Sequence, residues 1–386
     1  MNKYVVYLKS MKFGVDTFGS DHGRSGVGTY LASIMPHLLK TQDTEWLLYG
    51  SELDRYTFSE GFEVEYDSID LPQVVSAERI WHYFSEQKFI ADKGCSAILY
   101  PAATRVAPIF PKVPAVFVVN DIASIQFSEQ MDVVSRFIIK YCLKKASAII
   151  VPSAYIRDDL VRLGVKKERI SIIYNGINHS EFYQRDMMDN DIVNIKPFAI
   201  KRPYIIYASS MRSSEKKHIE LIHAFEKFKQ KTNLPHKLVL SGSDGSATES
   251  IHQAIMHSEQ ASDILMTGYF PHEGLPELYA AADAFIFPSA CDGVGLPVLE
   301  AMATGIPVTC ASRCALPEIT GNNALFFDPD NIDEMAQCIE KILTDNPLRE
   351  KLISNGLDWA KKFTWESTAE KTLELLKSVA KSEKRK

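Results

Sequence analysis

The sequence predicts an α/β protein built from two doubly wound parallel-sheet domains in series, and three observations lead to it. Short runs too apolar to alternate between two faces recur along the chain, separated by helix-sized amphipathic stretches, as parallel strands covered on both sides require. The pattern fills the first half, lapses over a polar stretch and then restarts. At 386 residues the chain exceeds one ordinary core and suits two.

In order, the runs 4–8, 46–49, 97–100, 115–119 and 148–151 predict the strands of the first sheet. The runs 204–208, 237–240, 263–266, 284–287 and 307–309 predict those of the second. Between them, the Asp-, Asn- and Lys-rich stretch 184–203 lacks periodicity and reads as a linker. The expected domains are therefore 1–183, 204–363 and a last helix from 364 to 386, with 381–386 read as a frayed charged tail. Ala369, Leu373, Leu376 and Ala380 form one apolar stripe on that helix, so it needs a surface to pack on, and the first domain is the expected one.

Composition narrows the function classes. With 46% hydrophobic and 24% charged residues the chain is an ordinary globular one, and a net charge of −6 argues against a whole-surface nucleic-acid binder. The six cysteines show no paired metal spacing and read as reduced thiols. The N-terminal apolar stretch is shorter than a signal-peptide core, and nowhere do about 18 apolar residues run together. A cytoplasmic protein is the expectation.

The most informative segment is 287–308, F-P-S-A-C-D-G-V-G-L-P-V-L-E-A-M-A-T-G-I-P-V, which reads as strand, glycine loop, helix and strand. Pro297 suits the first turn of a helix ending near Gly305. Backbone N–H groups at Gly293, Val294, Gly295 and Leu296 would then point at whatever occupies the helix start, a setting that favours an anion. Glu300, read as lying in the first turn, could accept two hydrogen bonds from a vicinal diol such as ribose, and Asp292 would face the sugar end. A bare glycine loop of this kind equally serves tight packing, with Glu300 answering the helix dipole.

This segment resembles the donor-site signature of the family-4-type (group 1) retaining glycosyltransferases, typically E-G-F-G-L-P-x-L-E-A-M-A-x-G, where this chain has D-G-V-G-L-P-V-L-E-A-M-A-T-G. The resemblance implies the GT-B architecture, two Rossmann-like domains facing a central cleft. It implies ribose binding by Glu300 and a contact with the donor hexose at Asp292, which stands where the family has Glu. Arg212 and Lys217 keep the family's Arg-x4-Lys spacing, which implies two cations holding the donor diphosphate, with Lys216 an alternative to Lys217 and a solvated helix start the plain reading of both lysines. Such cations stabilise the charge that gathers on a departing nucleoside diphosphate.

Further landmarks carry the resemblance across the chain. Gly26 and Gly28 lie in a turn similar to the family's S-G-I-G-R-Y, which implies glycines facing the donor diphosphate and the acceptor. Asn120 stands where the family commonly has a His beside the reacting carbon; an amide hydrogen-bonds but takes up no proton at neutral pH. Its neighbour Asp121 reads as a turn cap. Gly268 and Tyr269 match the family's nucleobase side, and Val151-Pro152-Ser153, Asn175-Gly176 and Phe363-Thr364-Trp365 follow in the family's order.

The resemblance therefore implies a metal-independent, retaining hexosyltransferase without cofactor. It would move a sugar from a GDP-, dTDP- or UDP-linked donor to a glycan, a lipid-linked glycan or another hydroxyl acceptor, with a lean to mannosyl or rhamnosyl transfer. Closure should gather Arg212, Lys217, Asp292 and Asn120 around the donor. The altered Asn120 and Asp292 motivate the alternative of a catalytically silent scaffold that binds a glycan or a partner transferase. The D-x-D forms at 189–191 and 328–330 read as solvation and capping rather than metal sites. From 132 to 169 nine Lys or Arg face four Asp or Glu. Val134, Phe137, Ile138, Tyr141 and Cys142 make an apolar stripe there beside Arg136, Lys140 and Lys144, which suits either a core helix with a charged outer face or peripheral contact with an anionic membrane at its cytosolic face.

Overall fold

The computed structural model describes residues 10–129, 131–185, 192–195 and 198–383. The expected strand at 4–8 and the D-x-D at 189–191 lie outside them. Contacts divide the chain into two compact units, one running to Gly176 and resuming at Trp365, the other spanning Ile177–Thr364.

The first unit holds a seven-stranded sheet in the order β3-β2-β1-β4-β5-β6-β7. Its strands are β1 (Met11–Asp16), β2 (Thr44–Gly50), β3 (Glu65–Ser68), β4 (Ala97–Tyr100), β5 (Ala115–Val118), β6 (Ala148–Val151) and β7 (Ile170–Ile172), and every pair is parallel. β1 was not expected, because Lys12, Gly14 and Asp16 interrupt its apolar run. Asp16 is nonetheless buried, its carboxylate 2.8 Å from His82 Nε2 and accepting from the Phe18 N–H at 3.0 Å. Burial alone would lower the His82 pKa; the Asp16 carboxylate overrides it and holds the imidazole up at about 9. The other unexpected strands, β3 and β7, are the two edges of this sheet, where burial on both faces is not required and polar residues are tolerated.

The second unit opens with an antiparallel pair, β8 (Ile192–Ile195) and β9 (Phe198–Lys201), inside the stretch expected to be a structureless linker. Alternation across so short a hairpin gives too little periodicity to register. A six-stranded parallel sheet follows in the order β12-β11-β10-β13-β14-β15. It comprises β10 (Tyr204–Ala208), β11 (Lys237–Ser241), β12 (Ile264–Gly268), β13 (Ala284–Phe287), β14 (Val308–Ala311) and β15 (Leu325–Phe327). The division of the chain falls after Gly176, ahead of 184–203, for a local reason. The Ile177 N–H donates to the Phe363 carbonyl at 3.2 Å, His179 Nε2 lies 3.1 Å from the same oxygen, and the Phe182 ring packs 5.9 Å from Tyr279.

The helix Trp365–Glu383 belongs to the first unit. Trp365, Ala369, Leu373, Leu376 and Ala380 are buried in one core with Tyr30, Leu31 and Ile34 of the helix Gly26–Leu39. Thr368 Oγ1 donates to the Tyr174 carbonyl at 2.8 Å. Each large apolar side chain so buried contributes about 1.5–3 kcal/mol.

Candidate functional site

In the second unit the strand order reverses between β10 and β13, and an open parallel sheet binds ligands at the carboxyl ends of the strands flanking such a point. The loops leaving those two strands carry most of the expected donor residues. The loop after β10 runs through Arg212 into Lys216 and Lys217; the loop after β13 holds Asp292 to Gly295. They meet directly: the Ala290 N–H donates to the Glu215 carbonyl at 2.8 Å, and Lys216 Nζ lies 3.3 Å from Asp292 Oδ2.

The glycine loop is organised by Asp292 itself. Its Oδ1 accepts from the N–H of Val294 at 3.1 Å and of Gly295 at 2.7 Å, a side-chain turn that only a short carboxylate makes easily. Two of the amides expected to face a ligand are thus engaged within the loop, which corrects that reading. Gly295 caps the helix Leu296–Ala303 at φ 66°, a left-handed geometry that disfavours any side chain. Glu300 lies in the second turn of that helix, not the first, because the helix begins at Leu296. It is partly buried, and burial followed by the charge of Glu181 raises its pKa from 4.5 to about 7. A group so placed stands near half-ionised at neutral pH and gains from any donor hydroxyl that favours its charged form.

The two lysines differ. Lys217 takes the left-handed conformation at φ 56° and its ammonium is held by Glu220 at 2.9 Å and Asp330 at 2.8 Å. Lys216 is the one whose ammonium reaches the glycine loop. Asp330, expected to serve only a turn, instead bridges Lys217 and Arg313 Nη1, the latter at 2.7 Å. Arg212 is exposed, and among the described residues no hydrogen bond or ion pair engages its guanidinium.

A third loop, after β11, escaped the sequence reading. The Ser243 carbonyl accepts from the Met211 N–H at 2.9 Å and Ser246 Oγ donates to the Arg212 carbonyl at 2.5 Å. A Cβ on Gly245 would come within 2.6 Å of Arg212 Cα. The Ser-Gly-Ser-Asp-Gly run at 241–245 was the available signal. Next to it, the Gly268 carbonyl accepts from the Gly242 N–H at 3.0 Å, and Tyr269 presents a ring that is 73% exposed, free to stack. Arg212, Lys216, Asp292 and the Gly268 to Tyr269 turn therefore all lie at the carboxyl ends of β10, β13 and β12 in one sheet.

In the first unit Gly28 and Gly26 part company. The Gly28 N–H donates to Ser25 Oγ at 3.2 Å, and a Cβ there would fall 2.3 Å from the Ser20 carbonyl oxygen, so its bareness serves packing. Gly26 has open space around it. Asn120, just past β5, is buried; its Oδ1 lies 3.5 Å from Asn175 Nδ2, and its own Nδ2 has no partner among the described residues. Also among the described residues, no group of three or more His, Cys, Asp or Glu is placed to hold a metal ion.

Two family models match the chain, Glycosyl transferases group 1 over residues 189–359 and Glycosyltransferase Family 4 over 73–181. The chain belongs to the group 1, family 4 glycosyltransferases. It is 36% identical over 45% of its length to O-antigen chain mannosyltransferase B of Escherichia coli, covering 45% of that protein. To O-antigen chain mannosyltransferase RfbU of Salmonella typhimurium it is 25% identical over 54% of each chain. The matches thus span about half the length of these curated relatives. Solved structures with the same GT-B fold include sucrose-phosphate synthase from Thermosynechococcus elongatus, with TM-score 0.74 at 16% identity, covering 96% of this chain and 100% of the other. Anabaena HepE in complex with UDP and glucose gives 0.72 at 17%, covering 95% and 100%.

Proposed function

We propose that the chain is a retaining hexosyltransferase that takes its sugar from a nucleotide diphosphate donor held on the second unit and passes it to a glycan or lipid-linked glycan. The observation that carries this reading is the meeting of Lys216 and Asp292 at the strand-order reversal, with an exposed, uncommitted Arg212 on the same loop as Lys216. The mannosyltransferase names of the relatives favour a mannosyl donor over the other GDP-, dTDP- and UDP-linked sugars.

In this reading the diphosphate displaces Asp292 from Lys216 and lies between that ammonium and Arg212, and the Asp292 carboxylate turns to a hydroxyl of the hexose. Lys217 joins once it leaves Glu220 and Asp330. As the bond from the anomeric carbon to the phosphate oxygen breaks, the two cations take up the charge that develops on the leaving group. The acceptor oxygen bonds to the same face of that carbon, and its proton passes to the departing phosphate. Fixed cations supply what a metal ion supplies in other transferases, so activity should persist in EDTA. Gly26 and Asn120 belong to the acceptor-binding unit in this scheme, and Gly268, Tyr269, Gly293, Leu296 and Glu300 to the nucleotide-sugar side.

Peripheral attachment to an anionic membrane forms part of the proposal. On the helix Val133–Lys145, Val133, Val134 and Phe137 are 75%, 67% and 72% exposed, whereas Ile139, Cys142 and Leu143 face the core. The stripe read from sequence is thus split, with its first half in solvent near Arg136 and Lys140, while Lys144 and Lys145 lie in the last turn of the helix. Apolar side chains rimmed by cations suit the headgroup region of an anionic leaflet. Among the described residues no helix is long and apolar enough to cross a membrane.

A thermal-shift panel of GDP, UDP, dTDP and ADP and their sugars, with Mg²⁺ or EDTA, tests the donor assignment. The reading expects stabilisation by one nucleotide family, in EDTA as well, and lost in Arg212→Ala and Glu300→Ala. Absence of any shift would remove it.

A further inference from the structure

Two cysteines meet beside the glycine loop of the second unit. Cys291 lies in the loop after β13, immediately before Asp292, and Cys314 lies between β14 and the short helix Leu316–Thr320. Although 23 residues apart in the chain, their sulfurs are 3.5 Å apart, and both residues are partly exposed. A disulfide sets its sulfurs about 2.0 Å apart, so this pair closes with an approach of about 1.5 Å.

The backbone aims the two at each other. Cys314 takes the left-handed conformation at φ 56°, uncommon for a residue with a side chain. Its Sγ lies 3.3 Å from the Ala290 carbonyl, and the adjacent Ala315 N–H donates to the Asp292 carbonyl at 3.1 Å. The two loops are thus docked on both sides of Cys291. The remaining cysteines differ. Cys142, Cys310 and Cys338 are buried, with burial pushing the thiols of Cys142 and Cys338 up to about 12 and about 11, as suits inert packing. Cys95 is partly exposed, and burial pushes its thiol up to about 11. At Cys291 the neighbouring Cys314 sulfur, ahead of burial, pushes the thiol well above its ordinary range. Cys291 therefore keeps its proton, and Cys314 is the sulfur that attacks.

With a hydroperoxide as oxidant the chemistry balances. The Cys314 sulfur attacks one peroxide oxygen, the O–O bond breaks, and the other oxygen leaves as water, which gives a sulfenic acid. The Cys291 sulfur then attacks that sulfur, and its proton departs with the hydroxyl as a second water while the S–S bond closes. Two electrons pass from the sulfurs to the peroxide. A dithiol reverses the bond by exchange and becomes a disulfide itself.

Such a bond would hold the segments that carry the site's charges. Asp292, next to Cys291, takes the Val294 and Gly295 amides and reaches Lys216. Arg313, next to Cys314, sets its guanidinium 2.7 Å from Asp328 Oδ1 and 2.7 Å from Asp330 Oδ2, and Asp330 holds Lys217. Donor binding, as read above, requires Asp292 to turn away from Lys216.

We propose that Cys291 and Cys314 form a reversible oxidation site for hydroperoxides, whose disulfide pins the Asp292 loop and slows donor turnover. The effect on turnover rests on the transferase reading; the site and the pinning do not. The reduced full chain is exposed to hydrogen peroxide and followed by intact mass, mapping of unreduced peptides, amide hydrogen exchange and donor-sugar hydrolysis. The chain should lose two hydrogens, link the peptides holding Cys291 and Cys314, and recover with dithiothreitol. Exchange over 290–295 should slow, and hydrolysis should fall at least about fivefold, the lower end of coupling between two sites. Cys291→Ser and Cys314→Ser should each lose the link and keep the reduced chain's exchange and hydrolysis under peroxide. No link between these two cysteines, a link with unchanged exchange over 290–295, or a linked chain that hydrolyses donor as fast as the reduced one would overturn the proposal. A link that slows exchange in a chain whose reduced form hydrolyses no donor would support the site and count against the transferase reading instead.

Discussion

Glu300 offers a perturbation whose sign and size follow from its surroundings. Burial and the neighbouring Glu181 raise its carboxyl from 4.5 to about 7 in the folded protein. The folded state therefore holds a proton that the unfolded state releases, and stability falls as pH rises from about 4.5 through 7. At about 1.4 kcal/mol per pKa unit the displacement amounts to about 3 kcal/mol of destabilisation, fully present above pH 7 and absent below 4.5. Glu300→Gln removes the ionisation, so the variant's stability relative to the parent should improve by up to about 3 kcal/mol between pH 5 and pH 8. For a domain of 150–250 residues that is roughly 6–12 °C in melting temperature. Scanning calorimetry of ligand-free protein and variant at both pH values measures it. An identical difference at pH 5 and pH 8 would refute the reasoning. The same residue makes a binding prediction: a diol donating to Glu300 favours its charged form, so nucleotide binding near pH 7 should release protons, seen as a dependence of titration enthalpy on buffer ionisation heat. The variant should lose both that release and affinity.

The other predictions are simpler. Arg212→Ala should weaken nucleoside diphosphate binding by about 1.5–3 kcal/mol, roughly ten- to a hundredfold, because a charged hydrogen bond is lost; titration calorimetry measures this, and the ligand-free melting temperature should not move, since no described partner is left behind. Gly28→Ala should destabilise by about 1–3 kcal/mol through its clash with the Ser20 carbonyl, whereas Gly26→Ala should be neutral or stabilising by about 0.4–1 kcal/mol; denaturant titration separates the two. Phe137→Glu should reduce sedimentation with vesicles containing anionic lipid, leaving the melting temperature unchanged.

The interior strands of both sheets could be read from sequence because burial on two faces leaves a run such as Ala-Ile-Leu-Tyr at 97–100 almost wholly apolar. β3, β7 and β15 could not, being edge strands of only three or four residues, and β1 hid behind a buried Asp16 whose partner His82 lies 66 residues away. The loop, helix and strand around 287–308 were legible as a motif. What was not legible is which polar groups answer one another: that Asp292 would take the Val294 and Gly295 amides, that Lys216 rather than Lys217 would reach it, or that Asp330 would hold Lys217. Each of these pairs, apart from the local turn, joins residues far apart in the chain, and spacing carries no information about them. The brace on Arg212 from 243–246 went unread for the same reason.

The measurement closest to the central claim is the anomeric configuration of a product formed by the full chain from GDP-mannose and a mannoside acceptor in EDTA, read by NMR. The account predicts an α-linked product, the configuration of the donor kept, and its loss in Arg212→Ala. A β-linked product, or nucleotide-sugar binding with no transfer from any hexose donor, would contradict it.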